Sequence, residues 1–290
     1  MIIISNKSGQ LANRLFVYSH LMAFSLEHNS TIYNPSFDEY AEFFEGSKQG
    51  LMIQNRKIHH FFDRSVFIRN FVFRVFRKLS RILPATPLIS RYLKLIHLKN
   101  DEELFDLDDT ENIELLNSGS VTFLSGWLFR CKDIKNEHAE FIRNYFRLIS
   151  EHTENINRNM SDIRKNFKTV IGIHIRKSDY KNFLGGKYFY EIEQYRKIMF
   201  DIADLFKDEN PAFLICSNEN IDSAVFKGLN VFKGPGHFVE DLYSLAKCDF
   251  IAGPPSTFSM WASFYGQKPL YMIEDPEKGI SKESFNIIQL

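Results

Sequence analysis

Cysteine is scarce in this chain. The 290 residues hold three, Cys131, Cys216 and Cys248, odd in number, widely spaced and flanked by strand or helix patterns rather than by each other or by histidines. That spacing argues against a disulfide framework and against a cysteine-based zinc site, and it makes a reducing cytoplasm the expected location. Long apolar runs are also missing: no stretch reaches the roughly 18 residues of a spanning helix. The start, MIIIS followed by polar residues, has no signal-peptide pattern. Net charge is absent as well, with 36 basic residues against 36 acidic ones, so no overall field draws in nucleic acid. Repeats and low-complexity segments are not visible. What remains is an ordinary globular composition, 44% apolar and 25% charged, long enough for one large or two ordinary domains, of which two is the better expectation. Aromatic content is 15%, mostly phenylalanine, and reads chiefly as core.

Along the chain, strand and helix patterns alternate. Residues 1–5 read as a buried strand, and a Gly9 turn leads into a helix over 11–27 on which Leu15, Tyr18, Leu21, Met22 and Leu26 keep helical spacing. A helix start of this kind offers backbone amides to an anion, with Asn13 and Arg14 in its first turns. Strands are expected at 31–34 and 121–125, and 136–165 is largely helical with linker character near 150–157. A domain boundary is expected close to Lys165. Beyond it, strands at 212–217, 230–233, 250–253 and 270–273 alternate with helices at 190–206, 222–227, 240–247 and 258–265. Such alternation argues for parallel sheets with short connections.

Charge is segregated in the middle of the chain. Residues 64–99 carry Arg64, Arg69, Arg74, Arg77, Lys78, Arg81, Arg91, Lys94 and Lys99 with no acidic residue. The first half predicts an amphipathic helix with Phe67, Ile68, Phe71, Val72, Val75, Phe76, Leu79 and Leu83 on its apolar face, ended by Pro84 and Pro87, with a second basic segment from Leu88. A basic helix with an aromatic face can lie in a membrane interface, and it can equally dock on its own domain with its charges in water. An acidic run follows, including Asp101, Glu102, Asp106 and Asp108. Asp106-Leu-Asp108 has the form of a metal-holding DxD, but it lies in a run of carboxylates that would produce it by chance and reads as a solvated connector.

The chain is organised around VIGIHIRKSDY at 170–180. In a strand successive side chains alternate faces, so Ile171, Ile173 and Ile175 point to a core while Gly172, His174 and Arg176 point the other way, a face open to chemistry. Ligands of parallel sheets bind beyond the carboxyl ends of strands. A guanidinium at that place can grip two oxygens of one phosphate, which lysine does less well. Downstream, Ser256 or Thr257 caps the helix expected at 258–265 and directs hydroxyls and amides toward an anion.

HIRKSDY resembles the HxRRGDY motif shared by bacterial alpha-1,2-fucosyltransferases and, more loosely, by alpha-1,6- and protein O-fucosyltransferases. GQLANRLFVYSHLMAFSLEHN near the start is similar to their GGLGNQLFQYA segment, and DLYSLAKCDFIAGPPSTFSMWASFYG to their DLxLMSxCxxxIxxxSSFSWWGAWL, in the same order. VTFLSGWLFRCKDI is similar to the family's strand ending in G-Y/W before a helix. The chain departs from these patterns at Gln10 and Ala12, at Lys177 and Ser178 (for Arg-Gly), and at Pro254, Pro255 and Met260.

The resemblance implies an α/β, GT-B-like fold, two Rossmann-like domains facing across a cleft: 1–165 on the acceptor side, with 64–99 as a basic insertion, and 166–290 on the nucleotide-sugar side. It implies an inverting, metal-independent transfer of fucose from GDP-fucose to a hydroxyl of a glycan or lipid-linked oligosaccharide, in cell-surface polysaccharide biosynthesis, with no cofactor and no nucleic acid partner. Arg176 would stabilise charge on the leaving diphosphate. Asp179 would be the base or would orient Arg176, with His20 and Asp38 as weaker candidates for the base. Gly9, Asn13, Arg14, His174, Ser217, Asp241, Ser256, Thr257 and Ser259 would surround the donor, with Asn218, Glu219 and Glu240 nearby. Two alternatives stand beside it: a transferase using GDP-mannose or a metal-dependent UDP-sugar, and a non-catalytic membrane-associated binding protein acting through 64–99.

Overall fold

The structure, a computed structural model, describes residues 1–60, 65–82, 89, 92–99 and 103–290. Two compact units make up the chain, Met1–Ile149 together with Leu290, and Ser150–Gln289.

The first unit begins with β1 (Ile2–Ile4), whose three isoleucines are buried on both faces as a central strand requires. Helix α1 (Leu11–His28) follows and is buried over most of its surface; it stops at Asn29, which takes the left-handed conformation and donates its N–H to the Ser25 carbonyl. Then come β2 (Ile32–Tyr33), α2 (Glu45–Gln49), β3 (Met52–Gln54), β4 (Lys57–His59), α3 (Val66–Ile82), β5 (Leu93–His97), β6 (Phe105–Asp106), α4 (Thr110–Leu116), β7 (Val121–Ser125), β8 (Phe129–Arg130) and α5 (Asn136–Tyr145). The main sheet has the order β4-β3-β2-β1-β7-β5. Its strands from β2 to β5 are parallel, and β3 and β4 form an antiparallel edge. Tyr18, Phe37, Phe44, Tyr145 and Phe146 pack edge to face or tilted in the core, as their number in the sequence led one to expect.

The strands β3, β4 and β5 of this unit are not legible in the sequence. The β3–β4 hairpin turns on Asn55 and Arg56, both at positive φ (50° and 59°), the conformation of a tight hairpin turn but without the glycine that normally signals it. β5, LKLIH, is hidden in the basic run; Leu95 lies opposite Phe123 of β7.

Helix α3 is present where expected but is turned otherwise. Arg69, Phe73 and Ser80 face inward, and Phe76 packs on Tyr33 and Phe123. Arg69 tolerates burial because its guanidinium pairs with Glu42. Phe67, Ile68, Phe71 and Val75, expected on the docked face, are exposed, Phe67 by 82%. The expectations at Arg64, Leu83, Pro84, Pro87, Leu88, Arg91, Asp101 and Glu102 lie outside the described residues.

The second unit runs α6 (Ser150–Arg164), β9 (Val170–Ile175), α7 (Ile192–Leu205), β10 (Ala212–Ser217), β11 (Asn230–Lys233), α8 (Phe238–Leu245), β12 (Phe250–Gly253), α9 (Thr257–Gly266) and β13 (Leu270–Met272). Its sheet, β11-β10-β9-β12-β13, is parallel throughout. Helix α6, which the sequence attaches to the first half, belongs to this unit. Arg164 bonds to the Lys247 carbonyl and the Asp249 carboxylate, and Asn155 reaches Glu240 of α8. The break between α5 and α6 falls at 146–149, where Phe146 and Leu148 are buried, rather than at 150–157.

Strand order reverses between β9 and β12, so this unit has a topological switch point there, the place where parallel sheets bind ligands. In β9 all six residues are buried. The face of Gly172 and His174 is therefore covered, not open as alternation alone implied. A Cβ at Gly172 would stand 2.7 Å from the Cδ2 methyl of Leu245 and 3.0 Å from Cys248 Sγ, so a larger residue would have to displace side chains packed on this face. Among the described residues no helix is long and apolar enough to cross a membrane.

Candidate functional site

The chemistry begins one residue beyond β9. Arg176 donates from Nε to Asp179 Oδ1 (2.9 Å) and from a terminal nitrogen to Oδ2 (2.7 Å), a two-pronged pair in which the guanidinium side chain is 15% exposed and the carboxylate 52%. The guanidinium also lies over the Tyr180 ring, 5.6 Å from its centre. Asp179 thus holds Arg176 in place, which makes orienting Arg176 the better of the two roles expected of it. His174 is buried beneath Gly253, where a Cβ would come within 2.8 Å of its own, and its ring lies 4.8 Å from that of Phe258. Its Nδ1 is buried without a hydrogen-bond partner. Burial, helped by Arg176, lowers its pKa to about 3, so His174 is neutral and offers a hydrogen bond rather than a charge.

Across the switch point, Ser256 caps α9 by accepting the Phe258 N–H at 3.2 Å, and Thr257 opens the helix. Ser259 is fully buried and donates to the carbonyls of Pro254 and Ser256, so it shapes the turn from within. The two sides are tied by Tyr180, whose hydroxyl donates to the Pro255 carbonyl at 2.7 Å. Sequence reasoning missed this tie, although Tyr180 stands in the motif itself.

Ser178 takes a positive φ of 32°, a conformation that favours glycine. The strain is offset: both its N–H and its hydroxyl donate to Glu219 Oε1, at 3.0 and 2.6 Å. Asn218 accepts the N–H of Lys177. Lys177 itself turns away toward Glu191 and the Phe189 ring.

Beside this lattice lies a cleft of about 320 Å³ lined by Ser217, Asn218, Glu219, Lys233, Gly236 and Asp241 among others. Asp241, on α8, is buried, and Oδ1 accepts the Gly236 N–H at 2.9 Å. Burial raises its pKa to about 6. Gly234 must lack a side chain, since a Cβ would meet Asp241 Oδ1 at 2.5 Å.

In the first unit, Gly9 (φ 64°) packs against the Asn13 side chain. Arg14 bonds to the carbonyls of Gly9 and Ser36, pairs with Glu39 and lies over Tyr40. These residues gather at the carboxyl end of β1. His20 does not join them. It is buried with Nδ1 accepting the Cys131 N–H, and burial lowers its pKa to about 3, which removes it as a base. Asp38 is buried as well, paired with Lys7 at 2.6 Å and accepting from Asn70 of α3. Asp106 and Asp108 accept the N–H groups of Asp108 and Lys132, and Asp106 pairs with Lys132, contacts of a connector turn.

The sequence profile of glycosyl transferase family 11 matches residues 37–278. The chain belongs to that family. No curated protein matches the sequence. Among solved structures, the fucosyltransferase NodZ from Bradyrhizobium superposes with a TM-score of 0.54 at 16% identity, covering 99% of this chain and 98% of that one. FUT1 of Arabidopsis thaliana, a mutant form in complex with GDP, gives 0.61 at 10% identity, over 98% and 73%. POFUT1 in complex with GDP-fucose gives 0.53 at 14% identity, over 91% and 93%. At such identities the likeness shows the fold, and it makes this glycosyltransferase an α/β protein of the GT-B-like kind.

In this family 11 chain the buried His174 couples the site to pH. Its pKa is about 3 in the fold and near the ordinary 6.5 when unfolded, so between those values the unfolded chain binds the extra proton. Stability is then lost as pH falls below about 6.5, at up to about 1.4 kcal/mol per pH unit for this group. Asp241 acts in the opposite sense between its unfolded value of about 4 and its folded value of about 6, being protonated only in the fold, which offsets part of the loss. A His174→Gln variant should show a shallower decline than the parent between pH 6.5 and 5 in urea titrations. Parallel declines would mean that His174 is not held neutral.

Proposed function

We propose that the protein transfers fucose from GDP-fucose to a hydroxyl of a glycan, inverting the anomeric centre without a metal. The observation that carries this reading is the meeting, at the switch point, of the Arg176 fork, neutral His174 and the Ser256–Thr257 helix start, beside a cleft floored by the buried carboxylate of Asp241. A diphosphate suits the first group. Guanine suits the second, because its adjacent N1–H and amino donors match one carboxylate, an edge that uracil lacks. Solved structures of NodZ soaked with GDP-fucose and of POFUT1 with GDP-fucose share the fold and support the choice of donor.

As the sugar–oxygen bond breaks, negative charge grows on the β-phosphate. A fixed guanidinium aimed at that oxygen stabilises the transition state more than the ground state. Asp179 is the positioning residue that keeps the fork oriented, His174 donates a hydrogen bond to the donor, and Ser256 and Thr257 complete the cradle. The second unit is the donor side, and the first, with Gly9, Asn13 and Arg14 at the end of β1, is the acceptor side. The carboxylates of Asp106 and Asp108 are engaged with the Asp108 N–H and with Lys132 beyond β8, which disfavours a metal-dependent UDP-sugar enzyme.

We further assign α3 to the surface of a membrane that carries the acceptor as a lipid-linked glycan. Phe67, Ile68, Phe71, Val75 and Ile82 are exposed beside Arg74, Arg77, Lys78 and Arg81, and the helix has no acidic residue. Its inner side meets Asp38 through Asn70, and the Phe73 ring lies 4.8 Å from the Lys7 ammonium.

Thermal shifts provide the first test. GDP and GDP-fucose should raise the melting temperature equally with and without EDTA, and UDP should do so less. A strong UDP shift abolished by EDTA would overturn the reading. Arg176→Ala should cut turnover about 100- to 1,000-fold with the fold intact, and Arg176→Lys should recover only part of the loss. A folded Arg176→Ala enzyme with near-normal turnover would reduce Arg176 to a surface ion pair. For α3, flotation with anionic liposomes should carry the protein upward at low salt and release it at high salt, each basic residue contributing about 1 kcal/mol. Retention in the soluble fraction at low salt would remove the membrane from the reading.

A further inference from the structure

Three side chains far apart in the sequence meet on the second unit. His152 lies in the first turn of α6, His237 is the residue that caps α8, and Glu240 lies in the first turn of α8. One ligand atom from each falls within 4.8 Å of the others. His152 Nδ1 and Glu240 Oε1 are 2.8 Å apart, and the two imidazoles stack at 4.9 Å between centres and 20° between planes. The contact is sheltered: the side chains of His152 and Glu240 are 12% and 8% exposed. Asn155, one turn along α6, donates to the same Glu240 oxygen at 2.9 Å, so the carboxylate is oriented from behind.

We propose that His152, His237 and Glu240 bind one divalent transition metal ion, zinc by preference, and that the ion ties α6 to the start of α8. Two imidazole nitrogens and one carboxylate oxygen form a donor set suited to zinc, with a fourth position left to water. Tetrahedral bonds of about 2.0–2.1 Å place neighbouring ligand atoms about 3.3 Å apart. The closest pair, at 2.8 Å, must open by about 0.5 Å and the widest must close by roughly 1.5 Å, a side-chain rotation rather than a backbone shift. Metal binding would displace the proton that joins His152 Nδ1 to Glu240 Oε1. Burial and the neighbouring His152 lower the pKa of His237, while Asn155 and His152 hold Glu240 below the ordinary carboxylate value against the cost of burial.

The consequence lies next door. Asp241 follows Glu240, lines the cleft and holds the Gly236 N–H just before the capping histidine. An ion at this site would fix the turn 236–241 that shapes the cleft wall, without taking part in any bond cleavage.

The test uses the full, tag-free chain stripped with EDTA and dialysed. Calorimetric titration with zinc chloride should show one ion per chain, and cobalt(II) should develop visible absorption from a low-coordinate N/O site. A hundredfold excess of zinc over its Kd should raise the melting temperature by roughly 5 °C. His237→Ala and Glu240→Gln should each weaken zinc at least about tenfold, with melting curves in EDTA confirming that both variants are folded. The absence of zinc binding, or binding unchanged in both variants, would overturn the proposal. GDP binding in EDTA reads the nucleotide site separately.

Discussion

The structure depends on one strand being paired on both edges and covered on both faces. β9 shares its hydrogen bonds with β10 on one side and β12 on the other, and its side chains meet core on each face. No charged group can stand on such a strand until the strand ends. Charge therefore appears at Arg176, in the first position where burial relaxes, and because the sheet order reverses there, β12 and the start of α9 finish beside it. Glycine at 172 and 253 belongs to the same constraint, since the side chains of Leu245 and Cys248 crowd the first and His174 crowds the second.

Around that end, polar groups are spent on holding one another. Asp179 fixes the Arg176 fork, Glu219 takes both donors of Ser178, and Tyr180 reaches Pro255. A site held in this way costs little reorganisation when a ligand arrives, which is where electrostatic stabilisation of a developing charge has most effect. The strained serine shows how a chain can depart from its family's glycine. The left-handed backbone is kept, and hydrogen bonds to Glu219 offset what the missing glycine would have spared.

The first unit solves a different problem with related means. Its sheet also centres on β1, and Gly9 and Arg14 gather at that strand's end. α3, however, is held by a small inner stripe, Arg69, Phe73, Phe76 and Ser80, and leaves larger apolar groups outside. A buried arginine among them is answered by the carboxylate of Glu42.

The sequence by itself determined the alternation of strand and helix, because strands buried on both faces must be continuous apolar runs: AFLICS and FIAG stand at the bounds their composition implied. It also determined which residues open the candidate site, since charge at the end of such a run has few structural uses. Tertiary structure decided the rest. Periodicity marks an apolar stripe on α3 but not which stripe the unit covers, and alternation puts His174 opposite the isoleucines without saying that Gly253 and Phe258 close over it. The assignment of α6 to the second unit, the Tyr180–Pro255 tie and the meeting of His152 with His237 and Glu240 all join residues separated by tens of positions. Such contacts follow from the order of strands in the sheet, and that order is set by how whole elements pack, not by any local pattern of residues.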